Sequence, residues 1–182
     1  MANVVITGST RGIGRGLAVE FLKRGHKVVV SSRKQADVDK AVSELAATGP
    51  AKIAGTSCDV TRKTDVQALW DFAVAAFGRV DFWINNAGRA TSRYEVHEMP
   101  EEMVHTLVDG NFKGSVFGSQ VAISGFRRQG SGALYNMLGG SFDGRRLTPN
   151  MGVYSATKAA DWLLTKYLVL ENKSPAIIIG AI

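Results

Sequence analysis

The chain has 182 residues, 45% of them hydrophobic and 21% charged, with a net charge of +6. That is the profile of one globular domain with a substantial core, and no apolar run approaches the length that crosses a bilayer. Lys and Arg are scattered or in short pairs such as Lys23-Arg24 and Arg127-Arg128, not in a basic tract interleaved with aromatics, so nucleic acid is excluded as the expected partner and a small anionic ligand is favoured.

In chain order, short β-branched runs alternate with amphipathic segments of helical length. Strands are predicted over Asn3–Thr7, Lys27–Ser31, Ala51–Thr56, Val80–Ile84, Gly132–Met137 and Pro175–Ile179. Between them, helices are predicted over Ile13–Arg24, Ala36–Ala47, Lys63–Phe77, Glu101–Arg128 and Val153–Asn172. Runs such as Val28-Val29-Val30 and Ile177-Ile178-Ile179 have no polar alternation, which suits a parallel sheet covered on both faces. The expected fold is therefore α/β: a Rossmann-type doubly wound parallel sheet, read as one domain over residues 1–182. The main glycine-rich loop, Gly139–Pro149, falls between a strand and the helix after it.

The first strand runs straight into Thr7-Gly8-Ser9-Thr10-Arg11-Gly12-Ile13-Gly14, and a helix follows at once. Gly8 lets the chain turn off the strand, Gly12 lets backbone approach a pyrophosphate, and Gly14 is expected to let the helix pack closely on the sheet. The helix N-terminus then presents N–H groups and a positive dipole end to the anion. Strand, glycine turn and helix in that order are the context that gives the motif its meaning.

Glycines at 8, 12 and 14 read G-x-x-x-G-x-G, and this spacing resembles the classical branch of the short-chain dehydrogenase/reductase family. The extended branch, with its epimerases and dehydratases, uses G-x-x-G-x-x-G in longer chains. The resemblance carries further motifs. Asn85-Asn86-Ala87-Gly88 matches the family's NNAG element, which implies that Asn86, Ala87 and Gly88 line the cofactor groove. Asp59-Val60 matches its adenine-contacting position. Ser141, Tyr154 and Lys158 match the Ser…Tyr-x-x-x-Lys pattern, and Asn111 matches the fourth catalytic position, which implies a water-linked proton relay toward Lys158.

NAD-selective sites place a carboxylate at the end of the second strand. Here Ser32 occupies that position and Arg33 follows, with no acid before Asp37. Ser32, Arg33 and Arg11 can hydrogen-bond a 2′-phosphate, so NADP(H) is expected ahead of NAD(H). The remaining cofactor contacts are expected from Gly8, Ser9, Thr10, Gly12, Ile13 and Gly14, with Tyr154 and Lys158 at the nicotinamide end.

The chemistry implied by the resemblance is hydride transfer between nicotinamide and a carbonyl or alcohol, a reaction of the CH–OH class. Residues i and i+4 share a helix face, so Lys158 stands about one turn from Tyr154. Its ammonium, together with the oxidised nicotinamide, is expected to favour the phenolate and bring the phenol toward neutrality. Tyr154 then gives a proton to the carbonyl oxygen while Ser141 stabilises the charge developing there.

Asp81–Gly88, Asn136–Ser141 and Gly8–Arg11 look most like the chlorophyll b reductase-type subgroup, which reduces a formyl group to a hydroxymethyl group. Two alternatives stay open at this stage: a regulator that binds NADP(H) without turnover, and an inactive short form of the enzyme. Family members normally continue beyond the sixth strand, so the complete protein is expected to be longer. The long helix Glu101–Arg128 and the helix Val153–Asn172 are expected to pair with symmetry mates in a homodimer or homotetramer.

The N-terminus reads as no signal peptide, giving a cytoplasmic expectation. Cys58 is alone and expected to be a reduced, partly buried thiol. His26, His97 and His105 lack metal-ligand spacing, so no metal is expected.

Overall fold

Alternate residues of the first strands face opposite helix layers, and this alternation builds two cores. In the computed structural model, residues 1–48, 51–90, 94–140 and 142–182 are described. The strands are β1 (Asn3–Ile6), β2 (Lys27–Ser32), β3 (Ile53–Ser57), β4 (Phe82–Asn85), β5 (Gly132–Asn136) and β6 (Ile177–Ala181). They pair in parallel in the order β3-β2-β1-β4-β5-β6. Val4, Ile6, Val28, Val30 and Ile84 pack with Ala18 and Leu22 of α1 (Gly12–Lys23) and Val38 and Leu45 of α2 (Gln35–Ala46). On the other face, Val5, Val29, Trp83 and Leu134 pack with Leu69 and Trp70 of α3 (Lys63–Phe77) and Phe126 of α5 (Gly114–Gln129). The expected doubly wound sheet is thus the observed one.

The boundaries differ in instructive ways. The predicted strand Ala51–Thr56 begins at Ile53, Val80–Ile84 becomes Phe82–Asn85, and Pro175–Ile179 becomes Ile177–Ala181. Pro175 has no N–H to give a ladder, and Val80 is fully buried although it precedes its strand. The single long helix predicted over Glu101–Arg128 is three segments: α4 (Glu101–Leu107), a π-helical turn (Val108–Lys113) and α5. A π-turn inserts an extra residue and re-aims its side chains. Here it turns Asn111 inward, fully buried, where the Ser115 hydroxyl donates to the Asn111 carbonyl at 2.8 Å.

The last helix, α6 (Gly152–Glu171), is inverted relative to an ordinary amphipathic helix. Its buried residues are Thr157, Lys158, Asp161 and Thr165, whereas Leu163, Tyr167, Val169 and Leu170 are exposed. The buried stripe meets polar partners. Asn136 on β5 donates to the Thr165 hydroxyl at 2.8 Å and accepts from Asn85 Nδ2 at 2.8 Å. Asn85 accepts in turn from the Trp83 indole at 2.8 Å. This satisfied chain of polar groups fixes α6 across the ends of β4 and β5. None of the described helices is long and apolar enough to cross a membrane.

Candidate active site

β1 connects outward to β2 on one side, while its other neighbour is β4. Sheets of this kind bind ligands beyond the carboxyl ends of their strands at such a switch point. A cavity of about 600 Å³ opens there.

The glycine turn forms one wall. Gly8 and Gly12 have φ of 63° and 58°, a region that side chains rarely adopt. A Cβ on Gly8 would stand 2.7 Å from Ala87 Cα, whereas nothing lies within 4 Å of the Gly12 position, so that side of the turn is open to the cavity. Gly14 packs against the turn itself rather than the sheet: a Cβ there would meet the Gly8 carbonyl at 2.6 Å and crowd the Asn86 amide. Thr10, Arg11 and the exposed Ile13 line the cavity. Ser9 does not; it is fully buried, donating to the Ile6 carbonyl at 2.6 Å and accepting from Ser31 N at 3.0 Å.

The loop after β4 holds this turn in place. Asn86 Nδ2 donates to the carbonyls of Thr7 at 2.9 Å and Gly8 at 3.0 Å. The backbone N–H groups of Asn86 and Ala87 donate to the Thr7 hydroxyl at 3.0 and 2.9 Å. Asn86, Ala87 and Gly88 all line the cavity. Ser32 and Arg33 line it too, as do Asp59 and Val60. The Ser32 hydroxyl donates to Lys34 O at 3.2 Å, and Asp59 Oδ1 accepts from Thr61 N and Oγ1 at 3.0 and 2.8 Å.

These residues fit a dinucleotide cofactor. The open glycine turn and the first N–H groups of α1 suit its pyrophosphate. The exposed Arg33 and Arg11 put positive charge on the same walls, and the strand end at Ser32 carries no acid.

Tyr154 and Lys158 reach the cavity from α6. The Tyr154 hydroxyl lies so close to Gly139 that a Cβ there would collide with it. Lys158 Nζ donates to the Met137 carbonyl at 2.9 Å and to Asp161 Oδ2 at 3.0 Å. Asn111 stands behind them: its Oδ1 accepts from Arg89 N at 2.8 Å, and its Nδ2 donates to Arg89 O at 3.0 Å and the Thr157 hydroxyl at 3.2 Å. Its side chain therefore braces the NNAG loop against α6. Ser141 lies outside the described residues.

The short chain dehydrogenase family model matches residues 2–182. The chain belongs to that family.

The chain is similar to chlorophyll(ide) b reductase NOL of Oryza sativa subsp. japonica, 41% identical over 93% of the chain and 50% of the relative. It is also similar to the probable chlorophyll(ide) b reductase NYC1 of Arabidopsis thaliana, 38% identical over 86% of the chain and 35% of the relative. Both relatives are chloroplastic. The chain spans half the length or less of these curated relatives. Among solved structures, the alcohol dehydrogenase of Thermococcus sibiricus complexed with 5-hydroxy-NADP superposes with a TM-score of 0.86. It is 25% identical, over 97% of this chain and 73% of that one. The family is one of NAD(P)(H)-dependent oxidoreductases acting on small molecules, and the predicted resemblance to the chlorophyll b reductase type holds.

The electrostatics of the site bring in a carboxylate that the sequence expectation did not include. The phenol of Tyr154 is raised above its ordinary value, first by burial and then by the charge of Asp161. The ammonium expected to lower it is paired with that carboxylate. Asp161 is the residue that the sequence reading missed. It is itself pushed up to about 6 by burial, with Lys158 and the Ser115 hydroxyl pulling the other way. The available signal was the stripe Thr157, Lys158, Asp161, Thr165 at helical spacing. Cys58 is buried and its thiol is pushed up to about 12, mainly by burial, so it is an inert core residue. Among the described residues no group of His, Cys, Asp or Glu is placed to hold a metal ion.

Proposed function

We propose that this chain is the catalytic domain of an NADPH-dependent reductase that converts a carbonyl group, an aldehyde above all, into an alcohol. The supporting observation is that the Tyr154 hydroxyl and the Lys158 side chain share one cavity with the open glycine turn. Bound NADPH would supply the hydride that reaches the carbonyl carbon. Gly12, Ile13 and Gly14 would hold the pyrophosphate at the N-terminus of α1, and Ser32, Arg33 and Arg11 the 2′-phosphate. Tyr154, protonated at neutral pH, gives its proton to the carbonyl oxygen. Ser141 takes the role of hydrogen-bonding that oxygen, and Lys158 that of holding the nicotinamide ribose.

Aldehydes are favoured by the similarity to chlorophyll(ide) b reductases, and NADP over NAD by the arginine pair and by the NADP-type ligand of the Thermococcus sibiricus structure. Reaction in the reductive direction agrees with a phenol that keeps its proton. The exposed Leu163, Tyr167 and Leu170 of α6 support self-association. The test is oxidation of NADPH, and separately of NADH, against a panel of aromatic and aliphatic aldehydes and ketones. Aldehyde-dependent oxidation of NADPH is expected. Cofactor binding with no turnover of any carbonyl would identify a sensor instead.

A further inference from the structure

The buried carboxylate of Asp161 has no part in the reaction as set out so far, and its surroundings give it one. Its side chain is 0% exposed and that of Lys158 6%. Two of the three ammonium donors of Lys158 are committed to protein, one to Met137 O and one to Asp161 Oδ2, which leaves one N–H for the cavity. The second carboxylate oxygen, Oδ1, has no hydrogen-bond partner. Asp161 does not line the cavity, so it acts through its neighbours. The groups facing it are Lys158 and Tyr154 on its own helix and the Ser115 hydroxyl from α5; the charged one among them is Lys158.

We propose that Asp161 is a positioning residue that clamps the Lys158 ammonium against the Met137 carbonyl and neutralises it, biasing the site toward giving a proton rather than taking one. The inference rests on the proposed reductase reading and says which direction its proton step favours. An ammonium with no counter-charge would stabilise the phenolate and suit alcohol oxidation; a neutralised one leaves Tyr154 as the acid that carbonyl reduction needs. The raised phenol agrees with this arrangement. The direction of the balance is simple: hydride adds to the carbonyl carbon, the oxygen takes the Tyr154 proton, and the phenolate regains a proton from solvent.

The experiment is a spectroscopic titration of tyrosinate absorbance on the full chain, with Tyr154→Phe subtracted to isolate that ring from the other three tyrosines. It needs neither cofactor nor turnover. In Asp161→Asn, which keeps an oxygen for Lys158 but removes the charge, the Tyr154 midpoint is expected to move to lower pH. The alkaline fall in reductive kcat should move down with it, while KM for NADPH changes less than kcat. An unmoved midpoint overturns the proposal. If Asp161→Asn does not fold, Asp161→Ser, which removes the charge with a smaller side chain and keeps Lys158, is titrated in its place. The Tyr154 midpoint should again fall, and a midpoint equal to that of the parent overturns the proposal. The two readings fail separately. A parent that oxidises no NADPH but shows the shift sinks the reductase reading and leaves the Asp161–Tyr154 coupling standing. A parent whose turnover depends on Tyr154 but whose pH profile ignores Asp161→Asn sinks this one alone.

Discussion

Asn86 Nδ2 donates to the Gly8 carbonyl at 3.0 Å, so the loop after β4 holds the shape of the turn that opens α1. In Asn86→Ala that carbonyl and the Thr7 carbonyl lose their donor, a loss of about 1–2 kcal/mol. Fluorescence titration with NADPH should show roughly tenfold weaker binding, with a small fall in melting temperature. Gly14→Ala should do worse, because its Cβ would stand 2.6 Å from the Gly8 carbonyl. Unaltered cofactor affinity in both variants would remove the turn from the binding site.

Arg33 is exposed on the cavity wall next to Ser32. Reversing its charge in Arg33→Asp should weaken NADPH binding by roughly tenfold to hundredfold, the worth of a charge-assisted phosphate contact, and leave NADH binding unchanged or improved. Equal NADPH affinity in parent and variant would reject the 2′-phosphate assignment.

Asp161 makes stability depend on pH with a definite sign. Its folded value, about 6, stands above its ordinary 3.8, so between those values the native state binds more protons than the unfolded chain. Stability attributable to this group is therefore greatest below about pH 4, falls as pH rises, and levels off above about pH 6. The loss is on the order of 3 kcal/mol. Urea denaturation across this range should show that decline against the background of the other carboxylates, and Asp161→Asn should flatten it. A decline of equal size in the variant would assign it elsewhere.

The buried polar chain between the strands is the other testable support. Asn136→Ala removes the donor to Thr165 and the acceptor for Asn85 Nδ2. Asn85 Nδ2 keeps Ser115 O and Ser119 Oγ as acceptors and the Thr165 hydroxyl keeps the Asp161 carbonyl, so the cost is that of two lost bonds, about 2 kcal/mol. Thermal melting should show a large loss, and retention of the parent melting temperature would mean that water replaces the amide.

The layered fold was legible because its strands are short β-branched runs and its helices keep one spacing. Lys63–Phe77 coincides with its prediction to the residue. The glycine turn was legible for the same reason: it sits at one strand end and one helix start. What periodicity could not show was the break at Val108–Lys113, because a π-turn shifts phase by a single residue and leaves the composition helical. Asp161 escaped because a polar stripe on a helix is ordinarily its wet face. On α6 the stripe is buried and the apolar residues are outside, an inversion visible only once Asn136 and Met137 are seen opposite Thr165 and Lys158. With it went the partner of the ammonium beside Tyr154, since spacing gives Lys158 but not the carboxylate paired with it.

The most direct test of the reductase reading is single-turnover oxidation of bound NADPH by an aromatic aldehyde in the parent and in Tyr154→Phe. The variant should lose far less in NADPH affinity than in rate, transferring hydride roughly 10²–10⁴-fold more slowly. Equal rates in the two proteins would contradict the assignment of Tyr154 as the proton donor, and with it the account of this site.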